Sequence, residues 1–211
     1  MLLHRIVSFL LGYPDATLRS ALPEIAATLA AADLGGGERE TLARFVDRLA
    51  RSDAIAAEEA YVRTFDLVPE HSLHLTHHLL GEDRNRGPAL IDMSEYYRAY
   101  CVDIAQNELP DYLPLMLEFA SLLEEEEGRM FLSHWNKALR QLQANLAAAA
   151  SPYAELVGLV ERRSRLVAAS GEVKTAPAEA SDPMREDGDN DPPVVWSGPQ
   201  GGACARPGPR P

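Results

Sequence analysis

The chain has few cysteines and no long apolar run, and each of these absences excludes a class of protein. Its two cysteines, Cys101 and Cys204, are too few for a disulfide framework and too far apart for a paired-cysteine zinc site. No run approaches the roughly 20 apolar residues that a membrane span needs. The apolar N-terminus is broken by His4 and Arg5, and no small-residue cleavage site follows, which is not typical of a secretory signal. We therefore expect a cytoplasmic protein in a reducing compartment, without stable membrane association.

Basic charge is also scarce. The chain of 211 residues has 20 lysines and arginines against 32 aspartates and glutamates, a formal net charge of −12. Nucleic-acid binding requires clustered lysine and arginine, so we expect no nucleic-acid partner. An acidic protein of this kind is better suited to a basic partner, such as a cationic peptide.

No segment shows the alternation of a β-strand, and apolar residues recur at helical spacing instead. The clearest example is Leu42, Phe45, Val46 and Leu49, at i, i+3, i+4 and i+7. From about residue 170 the composition becomes rich in Pro, Gly, Asp and Ala, with few large apolar residues to offset the entropy of ordering. The sequence predicts one all-α helical bundle over residues 1–169 and a disordered tail over residues 170–211.

No catalytic constellation is evident in the sequence. Glu108 and Asp111, three residues apart, resemble an acid–base pair, but no serine, cysteine or histidine nucleophile converges with them. Asp111 is more simply interpreted as the N-cap of an apolar helix that begins at Tyr112, with Pro114 in its first turn. Such a helix start also exposes backbone N–H groups that can bind a ligand. We expect no enzymatic activity and no catalytic residues.

Four histidines between His71 and His78 suggest an alternative function. His74 and His78 are separated by four residues, a spacing that can direct two imidazoles to one metal on a helix. The local sequence supplies no His-Glu-x-x-His arrangement and no third ligand. A helical metal-binding protein or metal-dependent enzyme that uses this segment is the alternative hypothesis, whereas our leading interpretation has no metal site.

Two charged features remain open to more than one interpretation. Arg84 and Arg86 lie in a turn between Gly81 and Gly87, where they can clamp a carboxylate or phosphate, or pair with nearby acidic residues around a helix start. The run of glutamates at 124–127 is expected at a helix C-terminus, where four carboxylates oppose the helix dipole and favour fraying.

A set of motifs carries a family resemblance. It comprises Tyr-Val-Arg-Thr-Phe-Asp at 61–66, Gly-Glu-x-Arg-x-Arg-Gly at 81–87, Glu-Leu-Pro-Asp-Tyr-Leu-Pro at 108–114 and Leu-Glu-Phe at 117–119. In combination and spacing these motifs resemble the NarJ-type nitrate reductase assembly chaperones, within the wider TorD/DmsD/NarJ family of redox-enzyme maturation proteins. The resemblance covers most of residues 1–165.

The resemblance implies an all-helical cytoplasmic chaperone without enzymatic activity and without a cofactor of its own. Such proteins bind the N-terminal peptide of the nitrate reductase catalytic (alpha) subunit and hold it until the molybdenum cofactor is inserted and the enzyme docks on its membrane anchor. The Glu-x-Pro-Asp motif of the family lies near the peptide groove. The predicted peptide-binding residues are Glu108, Leu109, Pro110, Asp111, Tyr112, Leu115, Phe119, Arg84, Arg86 and His78.

This chain departs from the family pattern at two positions. Related branches carry a histidine after the aspartate of the motif, where this chain has Tyr112, and some relatives carry a histidine before the turn glycine, where this chain has Leu80. No role of those histidines is transferred to this sequence. The predicted site is therefore an apolar groove with an acidic rim, in which a peptide helix buries apolar surface.

Overall fold

The structure, a computed structural model, describes residues 2–105 and 108–165. These residues form ten α-helices and one 3-10 turn at Pro69–His71, with no β-strand among them. The helices are α1 Leu2–Leu10, α2 Ala16–Ala31, α3 Gly36–Arg51, α4 Ala54–Phe65, α5 Leu75–Leu80, α6 Arg86–Ala99, α7 Leu113–Leu122, α8 Glu125–Ser133, α9 Asn136–Ala148 and α10 Tyr153–Arg163. The predicted all-α class is confirmed. The predicted boundary after residue 169 and the tail 170–211 lie outside the described residues.

The core is organised around α7, which is apolar on almost every side. Leu113, Met116 and Leu117 are fully buried, and the helix packs along α1. Burying each such side chain contributes about 1.5–3 kcal/mol relative to leaving it exposed. The exposed positions are Glu118, on one side of the helix, and Leu122 at its end, which is 68% exposed. The predicted apolar helix is therefore present, and most of it is buried.

Helices α2 and α3 pack against each other as a hairpin. Asp15 caps α2, its carboxylate accepting a hydrogen bond from the Leu18 N–H at 2.8 Å. Pro23 does not divide the helix into two, since α2 is continuous around it. Gly36 and Gly37 are the first two residues of α3.

The segment between α7 and α10 contains two helices. The apolar pattern from Phe131 to Leu146 divides between α8 and α9 near Trp135. Glu125–Glu127 were expected at a helix C-terminus, but they form the first turn of α8. Carboxylates there stabilise the positive end of the helix dipole, so the predicted fraying has no physical basis.

An ion pair joins the end of α10 to the start of α3. The Arg163 guanidinium on α10 donates two hydrogen bonds to the Glu38 carboxylate at the start of α3, at 2.8 and 2.6 Å. This forked geometry is the strongest form of such a pair, and it holds α10 against α3. Hydrogen bonding to Arg163 is also the main reason that the pKa of Glu38 lies below its ordinary value.

None of the helices described here is both long and apolar enough to cross a lipid bilayer.

Candidate functional site

The segment that precedes α7 pairs with the residues that precede α5. The Asp111 carbonyl accepts a hydrogen bond from the Leu75 N–H at 3.0 Å, and the Leu113 N–H donates to the Leu73 carbonyl at 2.8 Å. The residues between these partners form an isolated antiparallel β-bridge. Two loops whose bridged residues, His74 and Tyr112, lie 38 positions apart in sequence are thereby held together by their backbones.

Two side-chain hydroxyls complete the attachment of this segment. The Tyr97 hydroxyl on α6 donates to the Pro110 carbonyl at 2.8 Å, and the Ser8 hydroxyl on α1 donates to the Pro114 carbonyl at 2.7 Å. The two ends of the segment are therefore bound to two different helices, the preceding α6 and the distant α1. A segment with its backbone groups satisfied in this way is rigid, and it can present its exposed neighbours in a fixed position.

The Asp111 carboxylate is the centre of the site, and it is completely buried. It accepts hydrogen bonds from the Thr76 hydroxyl and, at 3.3 Å, from the Thr76 N–H. The His74 Nδ1 atom lies 3.0 Å from Asp111 Oδ1, and the Arg86 Nη2 atom lies 3.8 Å from Asp111 Oδ2. Arg86 also donates to the Thr76 hydroxyl at 3.0 Å. One carboxylate thus joins α5, α6 and the start of α7.

The position of Asp111 corrects the predicted helix cap. Helix α7 begins at Leu113, one residue later than expected, and no side chain caps its start at Tyr112. Asp111 instead accepts the free N–H of Thr76 in the first turn of α5, so it caps a different helix. Pro114 lies in the first turn of α7, as predicted.

Electrostatics keep the Asp111 carboxylate ionised despite its burial. Desolvation raises the pKa of Asp111, but hydrogen bonds from His74 and Thr76 and the charge of Arg86 lower it by more, so the net pKa lies below the ordinary value. A buried carboxylate is stable only where such partners compensate it. The arrangement is therefore a satisfied structural charge rather than a proton donor poised near neutral pH.

The two predicted arginines have different environments. Arg86 begins α6 and pairs with the carboxylate of Asp111, rather than with the neighbouring acidic residues that were the alternative. Arg84 is exposed in the preceding turn. That turn requires glycine at its start, because Gly81 ends α5 with a φ of 54°, a conformation that other residues rarely adopt.

The remaining predicted peptide-binding residues fall into exposed and buried groups. Glu108 and Leu109 are exposed, and Leu109 retains 43% of its accessible surface. Tyr112 and Leu115 are half-buried against the core. Phe119 is only 1% exposed. The exposed and half-buried residues offer a surface to a ligand, whereas Phe119 does not in this conformation.

Phe119 belongs to an aromatic cluster. Its ring packs against Tyr97 at 4.6 Å, Phe131 at 5.1 Å, Tyr100 at 5.4 Å and Tyr96 at 5.8 Å between ring centroids. Edge-to-face and tilted pairs of this kind add to the stability gained from burial. Phe119 thus packs α7 against α6 and α8.

The histidines do not converge. His74 lies against Asp111, whereas the His78 Nε2 atom lies 2.7 Å from the Ser72 carbonyl. Burial lowers the pKa of His78. Within the described ranges, no group of three or more histidine, cysteine, aspartate or glutamate side chains is placed to hold a metal ion.

Sequence reasoning missed Thr76, which is 1% exposed and donates twice to Asp111. The sequence contains one indication of its role, because Thr76 carries a hydroxyl and precedes two histidines at the start of a short helical pattern. Its partner lies 35 residues later, so the local sequence did not reveal the pairing.

A row of three tyrosines, Tyr13, Tyr61 and Tyr112, borders the site, and only Tyr112 among them was predicted as a binding residue. The Tyr61 hydroxyl donates to the Leu11 carbonyl at 3.0 Å, and its ring lies 5.4 Å from that of Tyr13, edge to face. Tyr61 also interacts with the Tyr112 hydroxyl. The row therefore connects the loop after α1 with the segment before α7.

Comparisons with known proteins match most of the described fold. The sequence model of the family described as nitrate reductase delta subunit matches residues 15–157. The chain is 36% identical over 155 residues to the nitrate reductase-like protein NarX of Mycobacterium tuberculosis, which covers 74% of this chain but only 23% of NarX.

Other relatives match over most of their own length. Over 152 residues the chain is 36% identical to the probable nitrate reductase molybdenum cofactor assembly chaperone NarJ of Bacillus subtilis, covering 72% of this chain and 82% of the relative. Over 192 residues it is 32% identical to the nitrate reductase molybdenum cofactor assembly chaperone NarJ of Escherichia coli strain K12, covering 90% of this chain and 80% of the relative.

Proposed function

Because the chain belongs to the nitrate reductase delta subunit family, we propose that it is a dedicated chaperone for the maturation of a respiratory nitrate reductase. It binds the N-terminal peptide of the catalytic subunit and holds that subunit until the molybdenum cofactor has been inserted and the enzyme docks on its membrane anchor. The observation that carries the proposal is the match to two NarJ chaperones over about four fifths of their length, 82% and 80%.

The names of these relatives agree with the prediction that the chain is not an enzyme, since both are described as assembly chaperones. In this proposal the molybdenum cofactor belongs to the client, and the chaperone acts in the cytoplasm without a cofactor of its own.

The geometry of the segment before α7 supports a binding role. Glu108 and Leu109 place an exposed carboxylate and an exposed apolar side chain beside a segment that hydrogen bonds hold in place. Tyr112 adds a half-buried ring next to them. Apolar contact supplies affinity for an amphipathic peptide, and the carboxylate favours a basic one. Asp111 and Phe119 are buried beneath this surface, and they contribute by fixing its position.

A gene deletion in the source organism tests the proposal. Without the chaperone, we expect the catalytic subunit to accumulate without molybdenum, so both the metal content of the purified subunit and nitrate reduction fall. Restoring the full-length chain on a plasmid returns both. Normal molybdenum content and activity in the deletion strain would contradict the proposed function.

A further inference from the structure

A pocket of about 360 Å³ lies between α4 and the loop after α1. Its lining is made of Tyr13, Ile55, Glu58, Glu59, Val62 and Arg63. Tyr13 is 45% exposed and Ile55 is 66% exposed, so two large apolar side chains face solvent beside two glutamates. Scattered exposed apolar residues are ordinary, but apolar residues that share one pocket indicate a binding surface.

Negative charge concentrates around this pocket. The Tyr13 hydroxyl donates to the Glu58 carboxylate at 3.3 Å. The pKa of Tyr13 is raised by desolvation and further by the carboxylates of Glu58, Asp66 and Asp15. Arg63 is the basic residue of the lining. The carboxylates around Tyr13 outnumber it, so the local field favours a cation.

The acidic region continues toward the segment before α7. Asp66, directly after α4, raises the pKa of Tyr61 and of Tyr112 as well as that of Tyr13, in each case after desolvation as the larger cause. Glu108 also acts on Tyr112. The pocket and the predicted peptide-binding segment are therefore connected by the tyrosine row and share one electrostatic environment.

We propose that this acidic pocket, defined by Tyr13, Ile55, Glu58, Glu59 and Val62, binds a segment of the client in which an arginine or lysine lies next to a large apolar residue. The inference rests on the proposed function and locates part of the client contact outside the Glu-Leu-Pro-Asp motif.

Each part of such a ligand has a partner in the pocket. A guanidinium or ammonium group donates charge-assisted hydrogen bonds to the carboxylates of Glu58 and Glu59, and it lies against the half-exposed ring of Tyr13. The neighbouring apolar side chain packs on Ile55 and Val62. An acidic or uncharged segment lacks the first contact, and it leaves the carboxylates to repel one another.

The test uses the full chain, a synthetic peptide with the N-terminal sequence of the cognate catalytic subunit, and titration calorimetry. Reversing two charges with Glu58→Lys and Glu59→Lys is expected to weaken binding by about tenfold or more, and to reduce its dependence on salt. The matched control reverses two exposed glutamates outside the pocket, Glu24→Lys and Glu95→Lys. It carries the same change in net charge and is expected to alter affinity by less than about threefold.

A variant that is expected to tighten peptide binding distinguishes an effect of charge from a loss of folding. Arg63→Gln removes the basic residue of the lining, so it is expected to tighten peptide binding by about twofold to fivefold. A peptide whose arginines and lysines are replaced by glutamine is expected to lose this response.

The possible outcomes are distinct. Equal binding by the wild type and by the Glu58/Glu59 variant overturns the location but leaves the proposed function intact. If the Glu58/Glu59 variant and the Glu24/Glu95 control bind the peptide equally weakly, the effect comes from net charge. That result also overturns the proposed location of the contact. A wild-type protein that does not bind the peptide overturns both the proposed function and this inference.

Discussion

Replacing the buried carboxylate of Asp111 is expected to loosen the junction of α5, α6 and α7. In Asp111→Ala the Thr76 hydroxyl and N–H lose their acceptor, the His74 ring nitrogen loses its hydrogen-bond partner, and Arg86 loses its counter-charge. Removing one partner of a buried charged network costs about 3–5 kcal/mol. His74 and Arg86 are partly exposed, with 35% and 26% of their side-chain surface accessible, and water compensates part of their loss. We therefore expect a destabilisation of about 3 kcal/mol.

Asp111→Asn measures the contribution of the carboxylate charge to stability, because asparagine keeps nearly the same side-chain shape. The amide keeps one carbonyl acceptor for Thr76, but it removes the negative charge that faces His74 and Arg86. We expect a loss of about 2 kcal/mol, which corresponds to a decrease in Tm of about 4–8 °C for a domain of this size. The exposed Asp92 on α6 provides the matched control, and Asp92→Asn is expected to change stability by less than about 0.5 kcal/mol.

The difference between wild type and Asp111→Asn depends on pH. The folded pKa of Asp111 is depressed, so its contribution is present above the unfolded pKa of about 4 and is lost as pH falls through the folded pKa. Urea unfolding at pH 7 and at successively lower pH below 4 measures this difference, which we expect to narrow. An asparagine variant that is as stable as wild type at pH 7 would refute the reasoning.

Three further perturbations test separate parts of the fold. His4 is fully buried with no hydrogen-bond partner for either ring nitrogen among the described residues, and burial lowers its pKa to about 4, so wild-type stability is expected to fall by about 3 kcal/mol between pH 6.5 and 4. Between pH 4 and 6.5 the His4 ring is protonated only in the unfolded chain. His4→Leu should therefore reduce the pH dependence of the unfolding free energy measured with urea. Tyr97→Phe removes the hydroxyl that donates to the Pro110 carbonyl and is expected to cost about 1–2 kcal/mol of unfolding free energy in the same assay, whereas an undiminished stability would show that the bond contributes nothing. Glu126→Lys places a cation in the first turn of α8 and is expected to lower stability by about 0.5–1 kcal/mol at low salt and less at high salt; a stabilised variant would contradict the assignment of the helix start.

Sequence periodicity was sufficient for the helices whose apolar face is continuous. Leu42, Phe45, Val46 and Leu49 repeat at helical spacing, and all four are buried in α3. The pattern from Phe131 to Leu146 also repeats, but a break near Trp135 separates α8 from α9 without interrupting the apolar face. Periodicity reports which side of a chain is buried and not whether the backbone is continuous.

The candidate site depended on contacts that no local pattern contains. Asp111 preceded an apolar helix, so a cap of that helix was the nearest explanation. Its actual partners on α5 lie 35–37 residues earlier. Tyr13 and Glu58 are 45 residues apart and meet only because the loop after α1 lies against α4. The motifs supplied candidate residues, and only the packing of the helices showed which residues they contact.

The central claim is that the chain binds the N-terminal peptide of a nitrate reductase catalytic subunit, and calorimetry of purified full-length protein with that peptide tests it most directly. The account predicts one saturable site with a Kd between about 1 nM and 1 μM, and at least about 100-fold weaker binding of a scrambled peptide of the same composition. Binding no tighter than about 1 mM, or equal affinity for both peptides, would contradict it.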